Sequence, residues 1–402
     1  MKKVVLSLAA LVLVLALLSS CVPAPAPTTP ATPPPATPKL PKEIKLGSIM
    51  CLTGALAAIG DLISKGVKLA VKDINTAGGI LGSPVKLIME DSATDAAVAL
   101  EAFKKLVEVD GVQAVVGPMI SPAVMSMGPY AKERGIVFVS PSSTAPLIAK
   151  QPWTDIAFRT CPNDNLQGKA LAKIIMDKGL KRVAFMVMDN PYGVGIMEVA
   201  TRELKGKAEI VASIKYDPEK LDYLTELGII KDKKPDCVLH VGFHDDGAVV
   251  FRQALELGLD KIQWLSAEGV YGMDFKISEA ADEFMAKAVI GTALTAVGPA
   301  YEEYCARFKK EFGVEPGVYS DTAYDAARLI ALAIEKAGVY QGTKIRDALW
   351  EVGKNYKGVS GTITFDKTGD RISGTYLVWK VEKAPEQKPP YKFTKIGLIP
   401  LE

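Results

Sequence analysis

The sequence contains few of the residues that usually carry enzymatic or metal chemistry. It has two histidines among 402 residues, His240 and His244. His240 is predicted to end a strand and His244 to begin the following loop, so the pair would not share a face as zinc-binding histidines do. There is no P-loop, no Gly-x-Ser-x-Gly, and no Gly-x-Gly-x-x-Gly after the first predicted strand. These absences predict no metal, no cofactor and no enzyme.

The charge and the cysteine content limit the classes of protein to which this chain can belong. The net charge is +2, with basic and acidic side chains interspersed, so no excess points to nucleic acid. The chain is 49% hydrophobic and 23% charged, as in globular proteins. Four cysteines follow Cys21; they could pair in three ways or remain buried thiols. These four are Cys51, Cys161, Cys237 and Cys305.

The N-terminal apolar run, residues 4–18, is shorter than the roughly 20 residues that a membrane-spanning helix needs. Lys2 and Lys3 precede it, and small residues lead from it to Cys21. This order is typical of a secretory signal peptide, residues 1–20. The segment resembles a bacterial lipoprotein signal, which implies acylation of Cys21 and anchoring outside the cytoplasm. The alternative is an ordinary cleaved signal with an incidental cysteine.

Proline, alanine and threonine dominate residues 21–42. Such a composition cannot bury enough apolar surface to fold. Prolines keep the segment extended at roughly 3.1 Å per residue, so it could span on the order of 60 Å. We therefore expect a disordered tether between a membrane and a folded body.

The body alternates between predicted strands and helices. Apolar runs predict strands at 44–49, 85–89, 114–116 and 136–139, with helical spacing between them. The pattern restarts at 183–188. Further strands follow at 210–214, 237–241 and 263–265. Alternating elements imply βαβ units, so we expect an α/β protein with two doubly wound, parallel-sheet lobes.

The order of elements changes after residue 290. Three consecutive helices are predicted at 300–312, 320–337 and 343–352, followed by strands at 361–365 and 374–381. These segments must add to lobes that already exist. The chain therefore crosses several times between the lobes, and such crossings form a hinge.

Polar residues follow two strands of the first predicted lobe. In open α/β sheets, ligands bind beyond the carboxyl ends of the strands. Ser121 follows the third strand, and Ser142, Ser143 and Thr144 follow the fourth. Hydroxyl groups and free N–H groups at helix starts suit a carboxylate. The alternative is that Ser121, which precedes Pro122, only caps its helix; the same alternative applies to Thr144.

The second predicted lobe offers different chemistry at its strand ends. Tyr192, Phe243 and Glu268 each follow a strand there. Aromatic rings and one carboxylate suit an ammonium group attached to an apolar body. Taken singly, Tyr192 could be a turn residue and Glu268 a solvated loop charge. Their shared placement at strand ends favours a binding site.

Several ordered blocks resemble the branched-chain amino-acid (leucine/isoleucine/valine-type) binding proteins of ABC importers, over residues 44 to 381. The resemblance implies a type I periplasmic-binding-protein fold with ligand captured between the lobes. The blocks include Leu-Thr-Gly at 52–54, Asp-Ile-Asn-Thr-Ala-Gly-Gly-Ile-Leu-Gly at 73–82, Ser-Pro-Ser-Ser-Thr-Ala-Pro at 140–146, Asp-Asn-Pro-Tyr-Gly at 189–193 and Tyr-Ser-Asp-Thr-Ala-Tyr-Asp-Ala-Ala at 319–327.

The resemblance also implies three hinge crossings, which we expect near Thr160, Gly291 and Gly361. The N-terminal lobe would contain residues 43–160 and about 292–360. The C-terminal lobe would contain residues 161–291 and about 361–402.

The resemblance further implies individual roles at the site. Ser121, Ser142 and Thr144 match positions that hold the head group of an amino acid, partly through backbone atoms. Tyr192 and Glu268 match positions in the second lobe, with Glu268 receiving the ammonium group.

Two positions depart from the family pattern. Phe243 stands where tyrosine is common, and Ile59 stands where an aromatic residue often contacts the ligand. The first-lobe disulfide of the family is missing. We therefore expect an apolar pocket for a branched-chain or aromatic amino acid.

The expected function is capture of an amino acid by lobe closure and delivery to an ABC permease, by a monomer that a lipid on Cys21 keeps at the membrane. No nucleic acid is an expected partner. One alternative keeps the fold but binds an amide, urea or an aromatic carboxylate. Another is a ligand sensor without transport.

Overall fold

The computed structural model describes residues 40–272, 275 and 278–401. The predicted signal peptide, the predicted lipidation site at Cys21 and nearly all of the predicted tether lie outside the described residues. Among the residues described, no helix combines the length and the apolar character needed to cross a membrane.

The first part of the chain alternates between strands and helices, as predicted, except that its last strand was not predicted and follows the preceding strand without an α-helix between them. Short 3₁₀ turns at Pro146–Lys150 and Thr154–Ile156 precede its last strand. The elements are β1 (Ile44–Met50), α1 (Ala57–Thr76), β2 (Val85–Asp91), α2 (Ala96–Glu108), β3 (Ala114–Val116), α3 (Ser121–Arg134), β4 (Val137–Ser140) and β5 (Ala157–Pro162).

The middle part repeats this alternation. The elements are α4 (Asp164–Asp177), β6 (Arg182–Met188), α5 (Pro191–Leu204), β7 (Glu209–Tyr216), α6 (Leu224–Lys233), β8 (Cys237–Val241), α7 (His244–Glu256), β9 (Gln263–Ser266), α8 (Glu279–Ala288) and β10 (Val289–Thr295).

The last part begins with the three predicted helices and ends in strands. The elements are α9 (Pro299–Phe312), α10 (Ser320–Ala337), α11 (Gly342–Val352), β11 (Tyr356–Gly358), β12 (Gly361–Ile363), β13 (Asp370–Arg371), β14 (Gly374–Lys383) and β15 (Tyr391–Leu401).

Two main sheets divide these strands between two lobes. The first sheet has the order β13-β5-β4-β3-β1-β2 and is parallel. The second has the order β15-β14-β10-β9-β8-β6-β7 and is parallel except for β14 and β15. Every residue of β4 is buried, since helices cover both faces of a parallel sheet. The predicted two-lobed α/β class is confirmed.

Each sheet has its own apolar core. In the first lobe, Phe103 and Phe138 meet edge to face with ring centroids 6.4 Å apart. In the second, Trp264 packs edge to face against Phe284 at 5.2 Å. Burial of each such side chain stabilises its lobe by about 1.5–3 kcal/mol. Each core therefore holds the strands of its lobe rigidly and so positions the loops at the strand ends.

Two of the predicted crossings are placed too early. The first crossing follows β5, close to the predicted Thr160. The second follows Thr295 rather than Gly291, because the whole of β10 pairs with β9 and β14 of the second sheet. The third follows Arg371 rather than Gly361, because β13 still pairs with β5 of the first sheet.

The starts of two helices in the first lobe differ in how they are capped. Asp95 caps α2, and its carboxylate accepts hydrogen bonds from the N–H groups of Ala97 and Val98. Ser121 is already the first residue of α3, so its hydroxyl does not act as the cap. The side chain of Ser121 is therefore available to another part of the fold.

Candidate functional site

The strand ends of the two lobes line a cavity with about 470 Å³ of space between its atoms, part of it open to solvent. It lies where the first lobe presents the loops after β3 and β4, and the second presents the segments after β6, β8 and β9. Seven of the eight predicted site residues line it: Ile59, Ser121, Ser142, Thr144, Tyr192, Phe243 and Glu268. The other lining residues are Leu56, Ile63, Met119, Ile120, Gly269, Val318 and Tyr319.

Side-chain hydrogen bonds tie the polar loops of the first lobe together. The hydroxyl of Ser121 accepts a hydrogen bond from the N–H of Ala145 at 3.1 Å. The hydroxyl of Ser142 donates to the carbonyl of Met119 at 2.9 Å. Together these bonds hold the loop after β4 against the start of α3, which places Thr144 at the cavity.

Ser143 is the one predicted site residue that does not line the cavity. Its hydroxyl donates to the carbonyl of Pro118 at 3.2 Å, and its N–H donates to the hydroxyl of Ser140 at 3.0 Å. Its side chain therefore points into the first lobe and supports the loop from behind. The residues on either side of it, Ser142 and Thr144, line the cavity.

A buried guanidinium group supports the same loop. Arg159 on β5 donates to the carbonyls of Ser143 and Ala145 at 3.0 and 2.9 Å. It also forms a bidentate ion pair with Asp370 on β13, at 2.6 and 2.5 Å. Because both partners are almost wholly buried, this pair holds the loop and the hinge strand in one geometry.

Aromatic rings form the wall of the second lobe. Tyr192 and Phe243 stack with centroids 5.8 Å apart and ring planes 12° from parallel. Asn190 caps α5 and accepts hydrogen bonds from the N–H groups of Tyr192 and Gly193, which orients the start of the helix. Asp246 similarly accepts from the N–H of Phe243 at 2.9 Å. The rings are thus placed by the ends of two helices.

Glu268 supplies the carboxylate of the cavity and is only 5% exposed. Burial raises the pKa of its carboxyl group, and its own N–H and the nearby polar groups of Gln167, Tyr319 and Tyr192 lower it part of the way back. Tyr319 belongs to the first lobe, so Glu268 is contacted from both sides of the cleft. A buried acid in such a position favours a cationic group on a ligand.

The rest of the wall is apolar. Ile59 and Ile63 come from α1, Leu56 directly precedes that helix, and Met119 and Ile120 precede α3. Ile59 lines the cavity and adds no polar atom to the wall. The cavity therefore combines one carboxylate, several hydroxyl groups and an apolar surface.

Sequence reasoning missed three polar residues at this site. Tyr319 precedes α10 with φ 65°, a left-handed conformation that is rare for an aromatic residue and that aims its side chain at the cleft. Asp164 and Gln167 lie in the first turn of α4, which follows a strand that was not predicted. Tyr319 could have been suspected, since it opens one of the blocks that carry the family resemblance.

Both histidines lie within regular secondary structure of the second lobe. Within β8, His240 is buried, with Nε2 3.1 Å from the Tyr216 hydroxyl and Nδ1 3.3 Å from the Ser266 hydroxyl. His244 begins α7 rather than a loop. Within the described part of the chain, no group of three acidic, histidine or cysteine side chains could hold a metal ion. The four cysteines found there are free.

Residues 43–386 match the family model described as periplasmic binding protein, and this chain belongs to that family. A curated relative, the Leu/Ile/Val-binding protein BraC3 of Rhizobium johnstonii, is 29% identical over 347 residues, covering 85% of this chain and 92% of the relative.

Solved structures share the fold. The branched-chain amino acid transporter substrate-binding protein LivJ of Streptococcus pneumoniae, in complex with isoleucine, is 26% identical with a TM-score of 0.76, over 88% of this chain and all of that one. An ABC-transporter solute-binding protein of Rhodopseudomonas palustris, in complex with 3,4-dihydroxybenzoic acid, has a TM-score of 0.74 at 24% identity, over 90% of this chain and 98% of that one.

Proposed function

We propose that this protein captures an apolar amino acid, branched-chain or aromatic, between its two lobes and delivers it to the permease of an ABC importer. The observation that carries the proposal is the buried carboxylate of Glu268 facing hydroxyl-bearing loops across one apolar cavity. The names of the relatives agree with this ligand class.

Each end of a zwitterion has a counterpart in the cavity. The amide groups of Ser142 and Thr144 donate to no acceptor among the described residues, and the Thr144 side chain adds a hydroxyl. These groups suit the ligand carboxylate, because donors beside it strengthen as water is excluded. Glu268 suits the ammonium group, which would neutralise a buried negative charge.

The cavity offers an apolar surface against which the side chain of the ligand can pack. Ile59, Phe243 and Val318 line the cavity from three different parts of the chain. Burying a leucine-sized side chain against such a wall contributes roughly 1.5–3 kcal/mol. A polar side chain would lose its water there without finding partners, so the wall favours branched-chain and aromatic amino acids.

Capture works by closure. Ligand favours the closed form because only there do both lobes touch it. The contact of Tyr319 with Glu268 across the cleft belongs to this closed arrangement. A permease would then recognise the closed shape, and no bond in the ligand is made or broken.

A ligand panel tests the proposal. Isothermal titration calorimetry with leucine, phenylalanine, urea and benzoate separates the ligand classes, and native mass spectrometry of the purified protein would weigh any retained ligand. We expect leucine or phenylalanine to bind, and urea and benzoate not to bind. Binding of benzoate in preference to both amino acids would overturn the amino-acid assignment.

The alternative ligand class is an amide, urea or an aromatic carboxylate without an ammonium group. The Rhodopseudomonas palustris neighbour in complex with 3,4-dihydroxybenzoic acid favours keeping this candidate. The buried Glu268 disfavours it, since a carboxylate ligand would meet a second negative charge. A sensor without transport remains the other candidate, and uptake of labelled leucine by cells with and without this protein distinguishes the two.

We further propose that Cys21 carries a lipid and that the Pro-rich segment after it tethers a monomeric receptor outside the cytoplasm. The order of charge, apolar run and small residues before Cys21 supports this. Cys21→Ala should move the protein from the membrane fraction to the soluble fraction while leaving ligand affinity unchanged. Sedimentation of the purified soluble form tests the monomer.

A further inference from the structure

A second buried carboxylate lies beside the ligand cavity. Asp164 opens α4 and is wholly buried. Its N–H donates to the carbonyl of Thr144 at 2.8 Å, which fixes it directly behind the loop that faces the ligand. Neither oxygen of its carboxyl group reaches hydrogen-bond geometry with a protein donor in the described ranges, although the Thr144 hydroxyl lies next to it.

Asp164 and Glu268 share this environment. Each is buried, and the negative charge of Glu268 adds to the cost of ionising Asp164. Oε2 of Glu268 likewise has no hydrogen-bond partner among the described residues. Gln167, one helical turn after Asp164, contacts Glu268 and so places α4 against it. Two buried acids that interact this strongly take up and lose protons as a pair.

The groups around the pair do not neutralise it. Arg159 is the cation that acts on Asp164, but it is already bound to the carboxylate of Asp370. The other titratable groups that face the pair are neutral, since burial raises the pKa of each: Cys161, Tyr192, Tyr319 and Tyr376. Two buried charges without a cation are costly, so a proton or a cationic ligand must take that place.

We propose that Asp164 is a specificity-determining residue of the ligand site, sharing a proton with Glu268 while the cavity is empty and releasing it to solvent when the ammonium group of a ligand arrives. This rests on the proposed function. The charge balances, because one positive charge enters as the ammonium and one leaves as the proton. A neutral ligand or an anion would displace no proton, so the pair selects for cationic head groups.

Two consequences follow for the pH dependence. At low pH the pair retains its proton, so the ligand must displace it and apparent affinity falls. Burial also raises the pKa of Asp164 in the folded protein above its unfolded value. The contribution of Asp164 to the stability of the empty protein is therefore greatest at acid pH and is lost as pH rises through this range.

Calorimetry of leucine binding in phosphate and in imidazole, between about pH 6 and pH 8, measures the released proton, since both buffers take it up there and they differ in ionisation heat. The wild type should release up to about one proton per leucine at the acid end. Asp164→Asn should reduce the release, weaken leucine binding about tenfold or more, and raise the melting temperature of the empty protein at neutral pH. Asp177→Asn, at the exposed far end of α4, should change none of these.

The outcomes separate the two proposals. If leucine, valine and phenylalanine all fail to bind, the proposed function is wrong and this inference falls with it. If leucine binds with equal heat in both buffers at every pH, the function stands and the shared proton is refuted. A lower melting temperature for Asp164→Asn at neutral pH, with unchanged proton release, would show that Asp164 has only a structural role.

Discussion

Gly195 of α5 and Pro146 of the first lobe meet across the rim of the cavity, and a Cβ atom on Gly195 would lie 2.7 Å from Cδ of Pro146. Only a residue without a side chain lets the lobes come this close. Because the two residues belong to different lobes, the clash exists only when the cleft is closed. A substitution at this contact should therefore change the free energy of lobe closure without changing the stability of either lobe.

Gly195→Ala should weaken ligand binding without weakening the fold. Overpacking typically costs about 1–3 kcal/mol, which here opposes closure and predicts roughly 5- to 150-fold lower affinity. Alanine also favours a helix interior over glycine, so the melting temperature of the empty protein should not fall. Gly228→Ala is the matched control, because its Cβ on α6 meets nothing within 4 Å. Equal leucine affinity in both variants, measured by calorimetry, would contradict closure at this rim.

Glu268→Gln should abolish most of the binding of amino acids. Losing one partner of a buried charge pair costs about 2–5 kcal/mol, and the amide cannot neutralise the ammonium group. The empty protein should be at least as stable, because a buried acid has been removed. Glu256→Gln, on the exposed end of α7 where Glu256 pairs with Arg252 at 2.9 Å, serves as the control. Wild-type leucine affinity in Glu268→Gln would refute the ammonium role.

Arg159→Met should destabilise the fold strongly. Removing the guanidinium leaves Asp370 as an unpaired buried charge, which costs about 3–5 kcal/mol. It also releases the carbonyls behind the Thr144 loop. Arg252→Met breaks an exposed pair and should cost less than about 1 kcal/mol. Urea denaturation gives both values, and adding Asp370→Asn to Arg159→Met should recover part of the loss.

Asp246 should make stability fall as pH rises. Burial raises the pKa of its carboxyl group from 3.8 to about 7, although hydrogen bonds from Tyr216 and the Phe243 N–H oppose the shift. The folded state therefore binds more protons than the unfolded state between these values, so stability is lost as pH rises through them. His240 acts in the opposite direction, because burial lowers its pKa to about 3 and stability falls as pH drops below 6.5.

A variant of Asp246 distinguishes the effect of its carboxyl group on stability from the effect of His240. Urea denaturation at about pH 4.5 and about pH 7.5 should show that Asp246→Asn loses less stability on raising the pH than the wild type. Asp232→Asn, an exposed residue of α6, should follow the wild type. An identical pH response in all three proteins would show that Asp246 is ionised throughout this range.

Sequence alone predicted most strands and helices, because parallel strands covered on both faces appear as continuous apolar runs. β4 is such a run. It did not predict β5, whose Arg159 looks unsuited to a buried strand. That residue is buried only because Asp370, 211 positions later, pairs with it. A partner so distant in the chain leaves no local signal.

The candidate cavity shows the same division between local pattern and tertiary contact. Strand ends marked the loops that face the cavity, since sequence order determines where a parallel strand ends. Which residue of a loop faces inward depended on tertiary hydrogen bonds, as Ser143 shows. Tyr319 and Asp164 reach the site only because the second hinge crossing and an unpredicted helix bring them there.

The sequence by itself determined the two-lobed class, the apolar periodicity and the chemistry available at the strand ends, because these follow from local patterns. Only the tertiary structure decided where the chain crosses between lobes, since strand pairing assigns β10 and β13 to their sheets. It also decided that Asp164 and Glu268 are buried together. Burial depends on which residues pack around a side chain, and many of these neighbours are distant in the sequence and come together only in the folded structure.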